Sequence, residues 1–112
     1  MGQYYRVANL DKKQVLKPHD FGHGAKLMEF AGAGDGMMRA LAVLLADGNG
    51  RGGGDLDSTD PLVGSWAGDR IVVVGDYADD DRFVPGSLYE ASNDYENISE
   101  KMKGVFRAAG ES

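Results

Sequence analysis

Cysteine is absent from the chain. That excludes disulfides and thiolate-bound zinc, and a chain of 112 residues can build a core without such staples. Long apolar runs are absent as well. The longest, Ala40 to Ala46, falls far short of the ~20 residues that cross a bilayer. Met1 to Arg6 lacks the apolar stretch of a signal peptide, and Arg6 stands where a myristoylation motif requires Ser or Thr. A cytoplasmic setting without membrane attachment is expected. In that setting the glycosylation pattern Asn97-Ile98-Ser99 has no meaning.

Excess positive charge is also missing. Net charge is −6, and it is uneven. Residues 1–54 carry seven basic and five acidic side chains, residues 55–112 five basic and thirteen acidic. Such a balance argues against direct nucleic-acid binding, where Lys and Arg supply most of the affinity. It suits a basic partner, a metal or simply solubility. Glycine, in contrast, is abundant: 17 residues, about twice the usual share of ~7%. Ordered glycine is costly in backbone entropy, so this density marks tight turns or close backbone approach.

The length fits one domain, residues 1–112. Tyr4 to Leu10 and Gln14 to Lys17 are β-prone runs around the polar Asp11-Lys12-Lys13, and they predict a hairpin ended by Pro18. His19 to Gly24 reads as a loop and Ala25 to Ala31 as a short helix. Asp35 is placed to cap the strongest element, Met37 to Ala46. With Arg39 its one charge, that helix is apolar on nearly every face and is expected to be covered all round. Asp47 to Asp60 is a long, turn-rich loop. Leu62 to Trp66 and Arg70 to Gly75 then predict a second hairpin, and the β-branched Ile71 to Val74 predict a central strand. Asp76 to Pro85, with Asp79-Asp80-Asp81, is an acidic loop, after which Leu88 and Tyr89 pack back on the core. Asn97 and Glu100 form a capping-box pattern before a helix with Ile98, Met102, Val105, Phe106 and Ala109 at helical spacing, stopped by Gly110. The predicted fold is α+β: two antiparallel β-hairpins, in one sheet, on a buried central helix and a C-terminal amphipathic helix.

Several patterns that carry chemistry elsewhere fail here. Gly48, Gly50 and Gly53 match the spacing of a dinucleotide loop, but a helix precedes them and a strand follows, the reverse of the required order. Asp47, Asn49, Gly52 and Asp55 match positions of a calcium loop, whereas Arg51 and Ser58 occupy places that need oxygen ligands. A looser oxygen site from Asp55, Asp57 and Asp60 stays open. Gly32 to Gly36 precede a helix start, where amides can bind an anion, but Asp35 would fill that role itself. His19 and His23 are four apart, yet Pro18 and the adjacent glycines oppose the helix that would bring them to one face. No serine, lysine or histidine is visibly paired as an activated nucleophile.

The polar positions that remain are Arg51, Gly52, Gly53, Gly54 and Asp55 in the glycine loop, Trp66, Asp69 and Arg70 after it, and Asp76 beyond the last strand. Arginines near carboxylates make either a structural ion-pair network or a polar ligand site. As a site, the loop amides and both arginines would hold a phosphate and Trp66 would stack.

The runs Met1-Gly2-Gln3-Tyr4-Tyr5, Asn9-Leu10-Asp11-Lys12, Lys26-Leu27-Met28-Glu29, Arg51-Gly52-Gly53-Gly54-Asp55, Gly64-Ser65-Trp66-Ala67-Gly68-Asp69-Arg70-Ile71, Gly75-Asp76-Tyr77 and Ile98-Ser99 resemble a family of small bacterial and phage proteins without an assigned activity. The resemblance implies a prokaryotic or viral source and supplies no catalytic residues. The expectation is a non-catalytic protein-binding or regulatory module with a protein partner or a second copy of itself, as a homodimer, and with no cofactor or metal. The alternatives are a nucleotide or phosphate binder built on the glycine loop, and a small metal-dependent hydrolase using Asp55, Asp69 or Asp76.

Overall fold

A computed structural model describes residues 3–32, 36–78 and 82–110. The fold is α+β, with a four-stranded mixed sheet and four α-helices. The strands are β1 (Tyr5–Asn9), β2 (Gln14–Leu16), β3 (Ile71–Gly75) and β4 (Glu96–Asn97), in spatial order β3-β1-β2-β4. The helices are α1 (Leu27–Ala31), α2 (Met37–Leu45), α3 (Leu88–Ala91) and α4 (Ser99–Ala108). Single 3-10 turns occupy Pro18–Phe21 and Ser92–Asp94.

β1 and β2 form the N-terminal hairpin, with Val7 opposite Leu16 and Asn9 opposite Gln14. Its turn is shaped by Asn9, whose side-chain oxygen accepts from the amides of Asp11 (2.9 Å) and Lys12 (2.8 Å). Such a bond two or three residues ahead is how Asn builds a turn. The second hairpin does not form. Leu62 to Trp66 is a chain of turns, and β3 pairs instead with β1, antiparallel, from Tyr5 opposite Gly75 to Asn9 opposite Ile71. The reason lies at the end of α2. A helix leaves its last carbonyls without partners. Here the amides of Gly64 and Trp66 donate to the carbonyls of Val43 and Leu44, both at 2.9 Å. The strand-like run is thus spent capping a helix. Gly64 sits at φ +75°, with the Ala46 carbonyl 2.7 Å from where a Cβ would stand, so only glycine serves there.

β3 is accordingly an edge strand, not the central strand its β-branched composition predicts. The helix α2 is also less enclosed than expected. Met37, Ala40 and Leu44 form a buried stripe, while Met38 and Ala42 are exposed. That stripe meets Val7 and Leu16 of the sheet and Phe30 of α1, and α4 packs beside the helix. Arg39 lies over the Phe106 ring at 4.5 Å, a cation–π contact joining α2 to α4. The proposed cap at Asp35 and the acidic Asp79 to Asp81 lie outside the described residues.

α4 buries Met102, Val105 and Phe106 of the expected face; Ile98, also buried, precedes the helix, and Ala109, which follows it, is half-buried. Its start differs in detail. Asn97 accepts from the Ser99 amide (3.0 Å), but Glu100 pairs with Lys103 and closes no capping box. Asn97 instead belongs to β4, a two-residue strand parallel to β2.

The sheet separates two apolar clusters. On one face Val7 and Leu16 pack with Phe30, Met37, Leu44, Trp66, Met102 and Phe106. On the other Ala8, Val74 and Leu88 pack with Val72 and Tyr89. Among the described residues no helix is long and apolar enough to cross a membrane.

Trp66 is fully buried, and its indole N–H donates to the Gln14 side chain at 2.7 Å. Trp66→Ala is expected to cost about 3–5 kcal/mol. Gln14→Met strands the indole donor in the core and is expected to cost about 1–3 kcal/mol. Urea titrations followed by circular dichroism check both, and the order of the two costs tests whether packing outweighs the hydrogen bond.

Candidate functional site

The nine polar positions singled out from the sequence do not converge. Arg51, Gly52, Gly53, Gly54 and Asp55 are all exposed in a loop that closes on itself. The Asp55 carboxylate accepts from the amides of Gly50 (2.8 Å), Arg51 (2.9 Å) and Gly52 (3.1 Å). Asn49 and Leu56 exchange two further bonds across the loop base, each 2.9 Å. Three amides converging on one oxygen make an anion nest. Its anion is the chain's own carboxylate, so these amides are occupied as the loop stands. The amides of Gly52, Arg51 and Gly50 hold the Asp55 carboxyl below its ordinary pKa.

Trp66 has no exposure and offers no face for stacking. Asp69 and Arg70 meet the first hairpin's turn. Asp69 accepts from Asn9 Nδ2 (2.9 Å) and pairs with Lys12, and Lys12 followed by Asn9 lower its pKa. Arg70 donates to Asp11 through its backbone amide (2.8 Å), Nε (2.9 Å) and Nη2 (2.8 Å). The backbone bond, then the side-chain bond, holds the Asp11 carboxyl low. Asn9-Leu10-Asp11-Lys12 and Trp66 to Ile71 are therefore contact partners in the fold, fastening the turn to the entry of β3. Asp76 lies at the opposite end of β3, where its Oδ1 accepts from the Tyr4 amide at 3.0 Å. As for other oxygen ligands, Asp60 accepts from the Leu62 amide at 2.9 Å. Among the described residues no three His, Asp or Glu side chains are grouped to hold a metal.

What the fold does create is an open sheet edge between Arg70 and Asp76. The bonds Leu10 N–H to Arg70 carbonyl and Asp76 N–H to Tyr4 carbonyl, both 2.9 Å, set the ladder's phase. In an antiparallel ladder successive residues turn their polar groups to opposite sides. Arg70, Val72, Val74 and Asp76 thus address β1, and Ile71, Val73 and Gly75 address the outside. On that side, among the described residues, the Gly75 carbonyl accepts from Ala78 (3.1 Å) and no strand pairs with the rest. A groove of about 680 Å³ runs beside β3, with Tyr77, Arg82 and Phe83 on its wall. Val73 (43% exposed), Phe83 (47%) and Tyr77 (61%) give it an apolar rim. Arg82 lies over the Phe83 ring at 5.2 Å.

Sequence reasoning selected Arg70 and Asp76, the two ends of this edge. Tyr77, next to Asp76 at the strand's far end, belongs to the same constellation in the sequence. Sequence reasoning missed Val73 and Phe83; Val73 lies in a β-branched run, which reads as buried until the strand's neighbours are known.

Among the described residues four carboxylates have lowered pKa values: Asp11, Asp55, Asp69 and Glu96, the last through Lys101 and then Gln14. A depressed folded pKa contributes stability above the unfolded value that disappears as pH falls through the folded one. Since the ordinary values are 3.8 for Asp and 4.5 for Glu, Tm is expected to hold from neutral pH to about pH 5 and to fall below about pH 4. Asp55→Asn is expected to flatten part of that fall. It should also speed amide exchange at Gly50, Arg51 and Gly52 without touching core amides. Thermal melts across pH and hydrogen exchange by NMR check the two outcomes.

No protein-family model matches the chain, and neither a curated protein nor a solved structure matches it.

Proposed function

We propose that the chain is a non-catalytic protein-binding module that works through the outer edge of β3, and that its partner is a second copy of itself. The observation that carries this reading is the edge at Ile71, Val73 and Gly75, bracketed by Arg70 and Asp76. An open strand edge is a template for another strand, and proteins that leave one unprotected generally use it. Two copies of β3 run antiparallel about Val73 pair Val72 with Val74, and each Arg70 meets the partner copy's Asp76. Both outward-facing Val73 residues then fall in a hydrogen-bonded pair, as the phase requires. Such a contact is self-complementary, which a two-fold interface demands. Arg70 is 73% exposed at its side chain even while paired with Asp11, so it can serve both carboxylates. Tyr77 and Phe83 widen the contact beyond the strands.

Within this reading the module is cytoplasmic and regulatory, switching partners or states through association. The bacterial or phage source implied by the motif resemblance belongs to the same proposal.

Light scattering and sedimentation between about 1 μM and 1 mM are expected to show a concentration-dependent mass of two chains. Arg70→Glu and Asp76→Arg each set like charges opposite at two symmetry-related positions. With cross-strand pairs worth about 0.2–1 kcal/mol apiece, each change is expected to weaken the dimer about tenfold. The double variant should restore it, although it cannot restore the Asp11 pair, so recovery isolates the intermolecular contact. A mass of one chain at every concentration would sink the proposal.

A further inference from the structure

A second feature lies on the sheet, away from the β3 edge and from the glycine loop. A cleft of about 330 Å³ opens where β1 begins and β2 ends, with Tyr4, Arg6, Lys17, His19, Asp20 and Tyr89 among its lining. Its size is at the lower end of ordinary small-molecule sites. Two cations sit in it, in a protein whose net charge is −6.

Their relation follows from register. Val7 faces Leu16 across the hairpin, so one step further Arg6 faces Lys17, which is still extended at φ −114° and ψ 125°. Phase decides how close they come. The Lys13 and Val15 carbonyls accept from Glu96 and Ile98, and the Lys17 amide donates to Ser99 Oγ. Odd residues of β2 thus turn away from β1, and Arg6 with Lys17 is a non-hydrogen-bonded pair, the kind with the nearer side chains. Like charges directly opposite are destabilising. Neither Arg6 nor Lys17 forms an ion pair with a carboxylate among the described residues.

Arg6 is nonetheless held in place. Its Nη1 donates to Ser92 Oγ (3.1 Å) and Asn93 Oδ1 (2.8 Å), and its plane lies 4.0 Å over the Tyr89 ring. A guanidinium has five N–H donors in a planar fork. Two neutral oxygens and a ring fix the fork, with no ion-paired carboxylate among the described residues. Tyr4, two residues earlier on the same face, is 49% exposed beside it. Asp20 adds a carboxylate on the wall, engaged by Asn97 Nδ2 at 2.7 Å.

We propose that this cleft binds a small phosphomonoester carrying a flat ring, of the nucleoside monophosphate class. The phosphate lies between Arg6 and Lys17, where a dianion turns their repulsion into attraction. The ring lies against Tyr4, and Asp20 accepts from the ligand's hydroxyl or amino group. This site is separate from the self-association proposed for β3, and either can fail without the other.

The test is calorimetric titration with AMP, GMP and UMP, with adenosine and inorganic phosphate as controls, at low salt. At least one nucleotide is expected to bind, with adenosine and inorganic phosphate each about tenfold weaker or worse. Lys17→Met removes a cation that forms no ion pair among the described residues. It is expected to weaken the nucleotide about tenfold while raising the Tm of the ligand-free protein by about 1–4 °C, because the like-charge pair is gone. Arg6→Gln is expected to weaken binding similarly. Should that variant fold poorly for want of its Ser92 and Asn93 bonds, Lys17→Met still decides. Absence of binding by every nucleotide overturns the proposal. So does nucleotide binding that survives Lys17→Met unchanged, or inorganic phosphate that binds as well as the nucleotides.

Discussion

Asn9 is a primary amide with no exposure to solvent, and the rest of the sheet depends on its being satisfied. A buried amide without partners costs more than its net bonds contribute when made. Asn9 finds three: the amides of Asp11 and Lys12 on its oxygen, and Asp69 on its nitrogen. The first two bend the chain into the β1–β2 turn. The third reaches 60 residues along the chain and fixes the point from which β3 starts. With Leu10 donating to the Arg70 carbonyl and Arg70 held by Asp11, the ladder of β3 on β1 has its register set from one end. One polar side chain thus ties the start of β3 to the β1–β2 turn, in the register that sets Asn9 opposite Ile71. The edge stays open because, among the described residues, no strand pairs with the other side of β3.

Much of the fold was legible, and the failures share a cause. The N-terminal hairpin, the helix beginning near Met37 and the buried face of the last helix are local patterns, readable from spacing. The second hairpin was misread because Leu62 to Trp66 carries strand-like residues whose amides serve the carbonyls of α2. Nothing local distinguishes an amide that pairs with a strand from one that caps a helix. β4 is two polar residues paired in parallel with β2, too short to show alternation. The all-round burial expected of α2 rested on its composition, but Ala42 and Met38 face outward because the chain lacks an element to cover them among the described residues.

The site was legible in a different way. Glycines near an arginine drew notice because backbone amides in such loops gather anions, and they do gather one here, Asp55 of the same loop. Spacing alone does not show that the anion comes from the loop itself. Asp69 and Arg70 stood out for their charges, which the fold uses to lock a turn to a strand. Val73 did not stand out, since its exposure depends on which strand lies next to it. Arg6 and Lys17 are eleven positions apart in the chain, and only the hairpin's register makes them neighbours.

Charge pairing separates the structural cations from the others more sharply than charge number does. Lys12, Arg70, Lys101 and Lys103 each hold a carboxylate within 3.0 Å. These exposed pairs add little stability individually, typically about 0–1 kcal/mol, and their work is geometric: they hold turns and helix ends in register. Arg6 is fixed by neutral oxygens and a tyrosine ring. A protein with a surplus of acids has ample means to neutralise a cation placed for structure alone. Here the fold orients a guanidinium and sets a second cation opposite it, with neither in an ion pair among the described residues, and the proposed ligand would relieve that electrostatic cost.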